Sequence, residues 1–308
     1  MSEGLCPSDS PAVRSLSLAR MSAYRFCRTD DIGLLVDALN RCWTPYFPDE
    51  PPTDAAAFKR SIRDLQVWCS SCMVAFSGAD PIGVLIGAKR SSGTLIHRIA
   101  VHPDHVRQGH GRHLLTSLSS KLAILGPPRI VAEVPETRTA AQGLFAASGY
   151  VEEAVLTDYV LDSDAETTGH EPAPVDSARG MVIPVTIDDL VANGLLGDPQ
   201  PQVCWERSVE TLMARKAEIE GLAIAAEERI EAYILYIKDM GELLAVQALV
   251  EGGEIHLTRL ISHLRSRGLK SLRFPKVYPA EVSSEILRTL GFRSAGNHRL
   301  YATTAQSG

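Results

Sequence analysis

The chain has 308 residues, of which 45% are hydrophobic and 22% charged, with a formal net charge of -6. That length buries one large core or two modest ones, and the acidic balance speaks against nucleic acid, whose phosphates call for a broad basic surface. No apolar run approaches the roughly 18 residues that a membrane helix needs.

Met1 to Arg20 is rich in Ser and Pro and has no apolar h-region, so residues 1–20 read as a disordered tail, not a secretory leader. The folded part is expected to start at Met21. Tyr24 to Arg28 reads as a strand. "TDDIGLLVDALNRCW" reads as a helix with Thr29 or Asp30 as N-cap, and a second helix is expected near Asp54 to Leu65. "CMVAFSG", "PIGVLIGAKR" and "GTLIHRIAV" read as three strands joined by tight turns. After the stretch "VRQGHGRHLL", Leu114, Leu115, Leu118 and Leu122 mark one buried helix face. "RIVAEV" is a short buried strand, "TRTAAQGLFAASGY" a helix ending at Gly149, and Val151 to Leu161 is expected to close the sheet. Residues 162–180 have linker composition. The alternation of strands and helices indicates an α/β fold.

Residues 181–308 repeat the plan. At an offset of 142, Gly253 falls on Gly111, Leu257 on Leu115, Leu260 on Leu118, Leu264 on Leu122 and Gly268 on Gly126. Between Val250 and Gly253 the second copy lacks seven residues that the first has between Val101 and Gly111, namely the glycine-containing loop and its arginines.

Six cysteines are present, with Cys69-x-x-Cys72 the only close pair. No second Cys/His pair stands at ligand spacing. These residues read as thiols of a reducing compartment, and no metal is expected.

A strand ending at Val101, a loop through Gly109 and a helix starting near Gly111 form an anion site. The first turn of a helix presents unpaired N–H groups at the positive end of its dipole, and Arg107 and Arg112 add charge. Neither the dinucleotide-binding nor the Walker fingerprint fits. "IAVHPDHVRQGHGRHLL" instead resembles the acetyl-CoA signature of the GNAT superfamily of N-acetyltransferases. The resemblance runs over residues 22–161, and residues 181–304 resemble a degenerate second copy.

The resemblance implies a tandem of twisted mixed sheets flanked by helices, each with central strands that splay to admit acetyl-CoA. It places the pantetheine arm along Ile99, Ala100 and Val101, and the pyrophosphate on Val106, Arg107, Gln108, Gly109, His110, Gly111 and Arg112. Arg138 and Phe145 complete the implied cofactor positions. Three residues depart from the family pattern. Val106 replaces Gln or Arg, Arg138 replaces Asn, and Phe145 replaces the Tyr that protonates the departing thiolate. Phe has no proton to give.

Candidate bases are Glu133, which resembles the base in the L-E-V segment of ribosomal-protein alanine N-acetyltransferases, and His97. Alternation puts His97, Ile99 and Val101 on one face and Arg98 on the other. Tyr159 is a candidate acid or substrate clamp. Tyr24, Trp43, Tyr46 and Phe47 fall where the family shapes its acceptor pocket, and Asp49 and Glu50 could draw in an amine.

The leading function is an acetyl-CoA-dependent N-acetyltransferase. It is active in residues 21–161, acts on a small-molecule or peptide amine in the cytoplasm, and is a monomer or homodimer with no nucleic-acid or membrane partner. The alternatives are a non-catalytic acyl-CoA sensor, which Phe145 favours, and a purely structural tandem scaffold.

Overall fold

The computed structural model describes residues 22–162, 180–196, 203–227 and 229–305. The Ser/Pro-rich start to Arg20 and residues 163–179 of the expected linker lie outside the described residues.

The first half begins with strand β1 (Ser22–Phe26) and helix α1 (Ile32–Cys42), which buries Leu35, Ala38, Leu39 and Cys42. The N-cap is Asp31, one or two residues later than the composition indicated. Its carboxylate is taken by the guanidinium of Arg25 and the backbone N–H of Arg28. Helix α2 (Ala55–Leu65) is capped by Asp54, whose carboxylate accepts the Ala57 N–H at 2.6 Å. Strands β2 (Met73–Ser77), β3 (Asp80–Lys89) and β4 (Thr94–Val101) form an antiparallel meander. Helix α3 (His110–Leu125) buries the four leucines that its spacing marks. Strand β5 (Arg129–Pro135), helix α4 (Thr139–Ala147) and strand β6 (Val151–Leu161) follow.

The second half runs β7 (Met181–Val185), α5 (Ile187–Ala192), α6 (Val209–Ala214), β8 (Ile219–Ala226), β9 (Arg229–Ile237), β10 (Glu242–Ala248), α7 (Glu254–Ser266), β11 (Leu272–Val277), α8 (Ser284–Thr289) and β12 (Arg293–Thr304). Helix α7 buries Leu257, Leu260 and Leu264, the residues that fall on Leu115, Leu118 and Leu122 of α3. Only residues 249–253 separate β10 from α7, against 102–109 between β4 and α3.

All twelve strands join one mixed sheet in the order β1-β2-β3-β4-β5-β12-β6-β11-β10-β9-β8-β7. This order corrects the expectation that residues 151–161 close the first sheet. The halves exchange their last strands. β12 lies antiparallel to β5, from His298 opposite Pro135 to Thr304 opposite Arg129. β6 lies antiparallel to β11, and β6 and β12 pair with each other through the centre. Exchanged or not, the last strands satisfy the same two edges, so local strand pattern does not choose between the two pairings. Each half offers an open fifth-strand edge, and an unpaired edge leaves N–H and C=O groups without partners. In the first half α1 and α2 cover one face, with Leu35, Phe58, Val84 and Leu95, and α3 and α4 cover the other, with Leu85, Ile96, Leu118 and Phe145.

Cys69 and Cys72 are buried in the α1/α2 core, and the Cys72 thiol faces the Trp68 carbonyl. Burial raises both thiols above their ordinary range.

Candidate functional site

The sheet is open at one place in the first half. β4 and β5 run parallel but pair only at Thr94–Ile130 and Leu95–Val131. Beyond those residues, β4 continues to Val101 and β5 to Pro135 without a shared register. The His102 N–H bonds the Ile82 carbonyl of the neighbouring strand. Antiparallel alternation then turns the N–H and C=O of Val101 and Ile99 toward the gap, and those of Ala100 toward β3. At the end of the gap the Val101 carbonyl accepts the Tyr46 hydroxyl at 2.7 Å. Tyr46 in turn gives its own carbonyl to Arg138, which also lies over the Phe47 ring at 4.1 Å. Arg138 and Tyr46 therefore strap the start of α4 to the end of β4.

The loop that follows β4 is shaped by backbone conformation. Arg107 has φ +63° and Gly109 has φ +89°, a region costly for residues with a Cβ. Gly109 is the N-cap of α3 and brings no capping side chain, so the first N–H groups of the helix keep no intrahelical partner. Gly111 serves packing, because a Cβ there would stand 3.0 Å from Leu144 of α4. His110 is buried and takes the Tyr24 hydroxyl at 2.6 Å on Nδ1. Burial lowers its pKa. Val106, Gln108 and Arg112 are exposed, as is Arg107. Among the described residues neither arginine has a salt-bridge partner. Among the described residues no acidic side chain caps the start of α3.

Several expected roles change. His97 is the extra residue of a β-bulge, where Ile86 pairs Arg98 and Gly87 pairs Ile96. The bulge breaks the alternation on which the face of His97 was read. Ile99 packs on the α3/α4 core and Ala100 on the α1/α2 core, and the His97 ring lies within electrostatic reach of Glu206 and Lys276 from the second half. Burial, with the Arg98 charge, pushes its pKa down to about 4, so the ring is neutral at pH 7.

Glu133 is a bonded carboxylate. Its Oε1 accepts the Trp205 N–H at 3.1 Å and its Oε2 the Lys276 ammonium at 2.9 Å. Burial raises its pKa, against the opposing charge of Lys276. The same ammonium reaches Glu206 Oε1 at 2.8 Å. Burial alone would raise Glu206, but the charge and hydrogen bond of Lys276 outweigh it and hold the carboxyl at about 2. The two glutamates drive Lys276 well above its ordinary value despite its burial.

Tyr159 does not reach this site. The exchanged strand carries it opposite Phe274 of β11, where it packs on the α7/α8 core. Phe145 is buried, stacked on Tyr301 of β12 with centroids 5.8 Å apart and edge-on to Tyr150 at 5.1 Å. Glu50 is occupied by the Trp43 indole N–H and by Arg98, which close the aromatic loop over β4.

Trp205, Glu206 and Lys276 were not marked by the sequence. The segment around them is fixed at both ends. The Trp205 indole donates to the Leu65 carbonyl at 2.8 Å and lies under the Arg90 guanidinium at 3.9 Å, and Arg90 also reaches Thr211. Arg207 pairs with Glu281, both fully buried, and donates to the Lys276 carbonyl. Two cues were present: a lysine inside the apolar strand "RFPKV", and a tryptophan beside two charges in "CWER". Neither names a partner.

Residues 33–150 match the family model described as the acetyltransferase (GNAT) family. A sequence comparison with curated proteins finds no match. Among solved structures the fold resembles a GCN5-related N-acetyltransferase from Sphaerobacter thermophilus, with TM-score 0.63 and 13% identity over 93% of this chain and 96% of that one. It also resembles a tandem GNAT protein from the clavulanic acid biosynthesis pathway, with TM-score 0.58 and 14% identity over 94% and 99%. A third is a GCN5-related N-acetyltransferase from Anabaena variabilis, with TM-score 0.60 and 11% identity over 93% and 73%. Among the described residues no helix is long and apolar enough to cross a membrane.

Proposed function

We propose, for a chain whose residues 33–150 match the model of the acetyltransferase (GNAT) family, that its first half transfers an acetyl group directly from acetyl-CoA to a primary amine. The observation that carries this reading is the opening between β4 and β5, with the uncapped, glycine-led start of α3 at the same end. Backbone groups of Ile99 and Val101 face the opening and suit the amide-bearing arm of CoA as an added strand. The N–H groups from Arg107 to Arg112, with the two arginine charges, suit its pyrophosphate. Acetyl-CoA supplies the acyl group as a thioester. The amine nitrogen attacks the thioester carbonyl, the C–N bond forms, the C–S bond breaks, and the amine proton must leave. His97 is in the neutral form that a proton acceptor requires, although at a pKa of about 4 it is a weak base. Glu133 is held in its ion pair and serves the architecture around the gap.

The second half lacks the phosphate loop, so one equivalent of CoA is expected. The acceptor is a small-molecule or peptide amine, and the setting a cytoplasmic monomer or homodimer. A second reading, an acyl-CoA sensor without turnover, draws on Phe145. Its ring sits against Tyr301 and Tyr150 and offers no proton to a departing thiolate.

The test is calorimetric titration of acetyl-CoA into the full chain and into a Gly109→Glu, Gly111→Glu variant, followed by thiol release with an amine panel. Binding near one equivalent that is lost in the variant supports the cofactor site, and turnover then separates transferase from sensor. Two equivalents would refute the empty second half, and no binding at all would sink both readings.

A further inference from the structure

The transferase reading gives the exposed backbone of Val101 to the cofactor, and the fold has already given part of it to Tyr46. The N–H and C=O groups of Ile99 and Val101 face the opening between β4 and β5, because Ala100 and the His102 N–H turn to β3. An arm added as a strand uses the donors and the acceptors of such residues. The Val101 carbonyl is one of those acceptors, and the Tyr46 hydroxyl donates to it at 2.7 Å.

Tyr46 belongs to a strap that crosses the opening. Thr44–Tyr46 forms a single tight turn, started by Pro45, in the connection from α1 to α2. On one side the Tyr46 hydroxyl holds the end of β4. On the other side the Tyr46 carbonyl accepts the Arg138 guanidinium at 2.9 Å, and that guanidinium lies over the Phe47 ring at 4.1 Å. Arg138 is the N-cap of α4, and its own N–H bonds the Pro135 carbonyl at the end of β5. The turn therefore joins the ends of the two strands that splay apart. Residues 102–109, which lead to the start of α3, follow Val101, and the bulge at His97 lies in the opposite direction along β4. An arm that runs from α3 into the opening has to pass Val101, where the strap crosses. Arg138 also finds a use here. The Asn of the family pattern is too short to reach the Tyr46 carbonyl and has no charge to set over Phe47.

We infer that this strap is an autoinhibitory contact, in which the Tyr46 hydroxyl occupies the acceptor of the cofactor's arm and is displaced from it when the arm binds. The inference rests on the cofactor placement of the transferase reading. An amide N–H of the arm replaces the Tyr46 O–H on the same carbonyl, so that bond is exchanged and not gained. What binding must supply is the release of the turn. The ties to be released are one neutral hydrogen bond on Val101 and the contacts of one half-buried guanidinium, each modest in size. The strap thus lowers cofactor affinity without filling the phosphate loop.

Tyr46→Phe keeps the ring and removes the donor. The experiment titrates the full chain with acetyl-CoA and with 3′-phospho-ADP, which carries the nucleotide of CoA without the arm, and follows hydrogen exchange of residues 44–50. Tyr46→Phe should bind acetyl-CoA roughly three- to tenfold more tightly, the size of one net neutral hydrogen bond, and should bind 3′-phospho-ADP as the wild type does. Arg138→Gln frees the other end of the strap and should also tighten acetyl-CoA binding. In the wild type, acetyl-CoA should speed exchange at the Tyr46 and Phe47 N–H groups, which bond the Trp43 and Thr44 carbonyls. Unchanged or weaker acetyl-CoA affinity in Tyr46→Phe would overturn the inference. So would an equal change for 3′-phospho-ADP, or exchange that slows at Tyr46 and Phe47 when acetyl-CoA binds. If Tyr46→Phe does not fold, Arg138→Gln and the wild-type exchange carry the test. Binding that ignores Tyr46 strikes the inference alone, whereas no acetyl-CoA binding by any form strikes the transferase reading and the inference with it.

Discussion

Lys276→Met is the sharpest test of the junction between the halves. Lys276 Nζ lies 2.9 Å from Glu133 and 2.8 Å from Glu206, with side-chain exposures of 22%, 5% and 28% for the lysine and the two glutamates. Methionine keeps the length of the stem and faces the same backbone cost at φ +51°, so the comparison isolates the charge. Removing one member of a buried ion pair costs about 3–5 kcal/mol. The partial exposure of Lys276 and Glu206 places this case at the lower end, about 3 kcal/mol at pH 7.5. The pH dependence has a definite sign. In the wild type Glu206 is held at about 2, below its ordinary 4.5, so its contribution is complete above 4.5 and is lost as pH falls toward 2. In the variant both carboxyls lose their cation, their pKa values rise, and protonation relieves them. The deficit should therefore shrink between pH 7.5 and pH 5. Denaturant unfolding at both pH values, followed by tryptophan fluorescence, measures it. A deficit below about 1 kcal/mol at pH 7.5, the range of exposed pairs, would refute the buried bridge. A deficit that grows on acidification would do the same.

Gly109→Ala should cost about 1–2 kcal/mol from its φ of +89° alone, because no atom lies within 4 Å of the added Cβ, and thermal melting together with acetyl-CoA titration would read it. Gly111→Val should cost about 1–3 kcal/mol by overpacking, since the Cβ already meets Leu144 at 3.0 Å, while Gly111→Ala should cost less; equal melting of the two would contradict that contact. His97, lowered to about 4 from 6.5, stays unprotonated in the fold where the unfolded chain takes a proton. The protein should thus lose roughly 2–3 kcal/mol as pH falls from 6.5 to 4, and a His97→Phe variant with the same acid slope would exclude that origin. Because β5 pairs with β12 and β11 with β6, residues 1–162 and 180–308 expressed apart should each fail to give a cooperative melt, and mixing them should restore one.

What the sequence discloses and what it hides divide along physical lines. Local rules found the meander, the two leucine-faced helices and the loop ending at Gly109, because period, capping and glycine placement are properties of a few neighbouring residues. The face of His97 escaped them, since a one-residue bulge reverses every side chain beyond it. Glu133 stood out as the one acid inside "RIVAEV", but its partner Lys276 lies 143 residues away, and a strand pattern states that an edge will pair without stating with what. The same ambiguity concealed the exchange of β6 and β12, both of which alternate well enough to fit either edge. That exchange accounts for what the second copy retains. It lacks seven residues of the first copy's loop, yet it provides the strand beside β5, the Tyr301 ring against Phe145, and the segment that carries the Trp205 N–H to Glu133. Losing the loop leaves the sheet intact. Losing β12 would open the edge of β5 next to the gap and uncover Phe145, so the second half is a structural wall of the first.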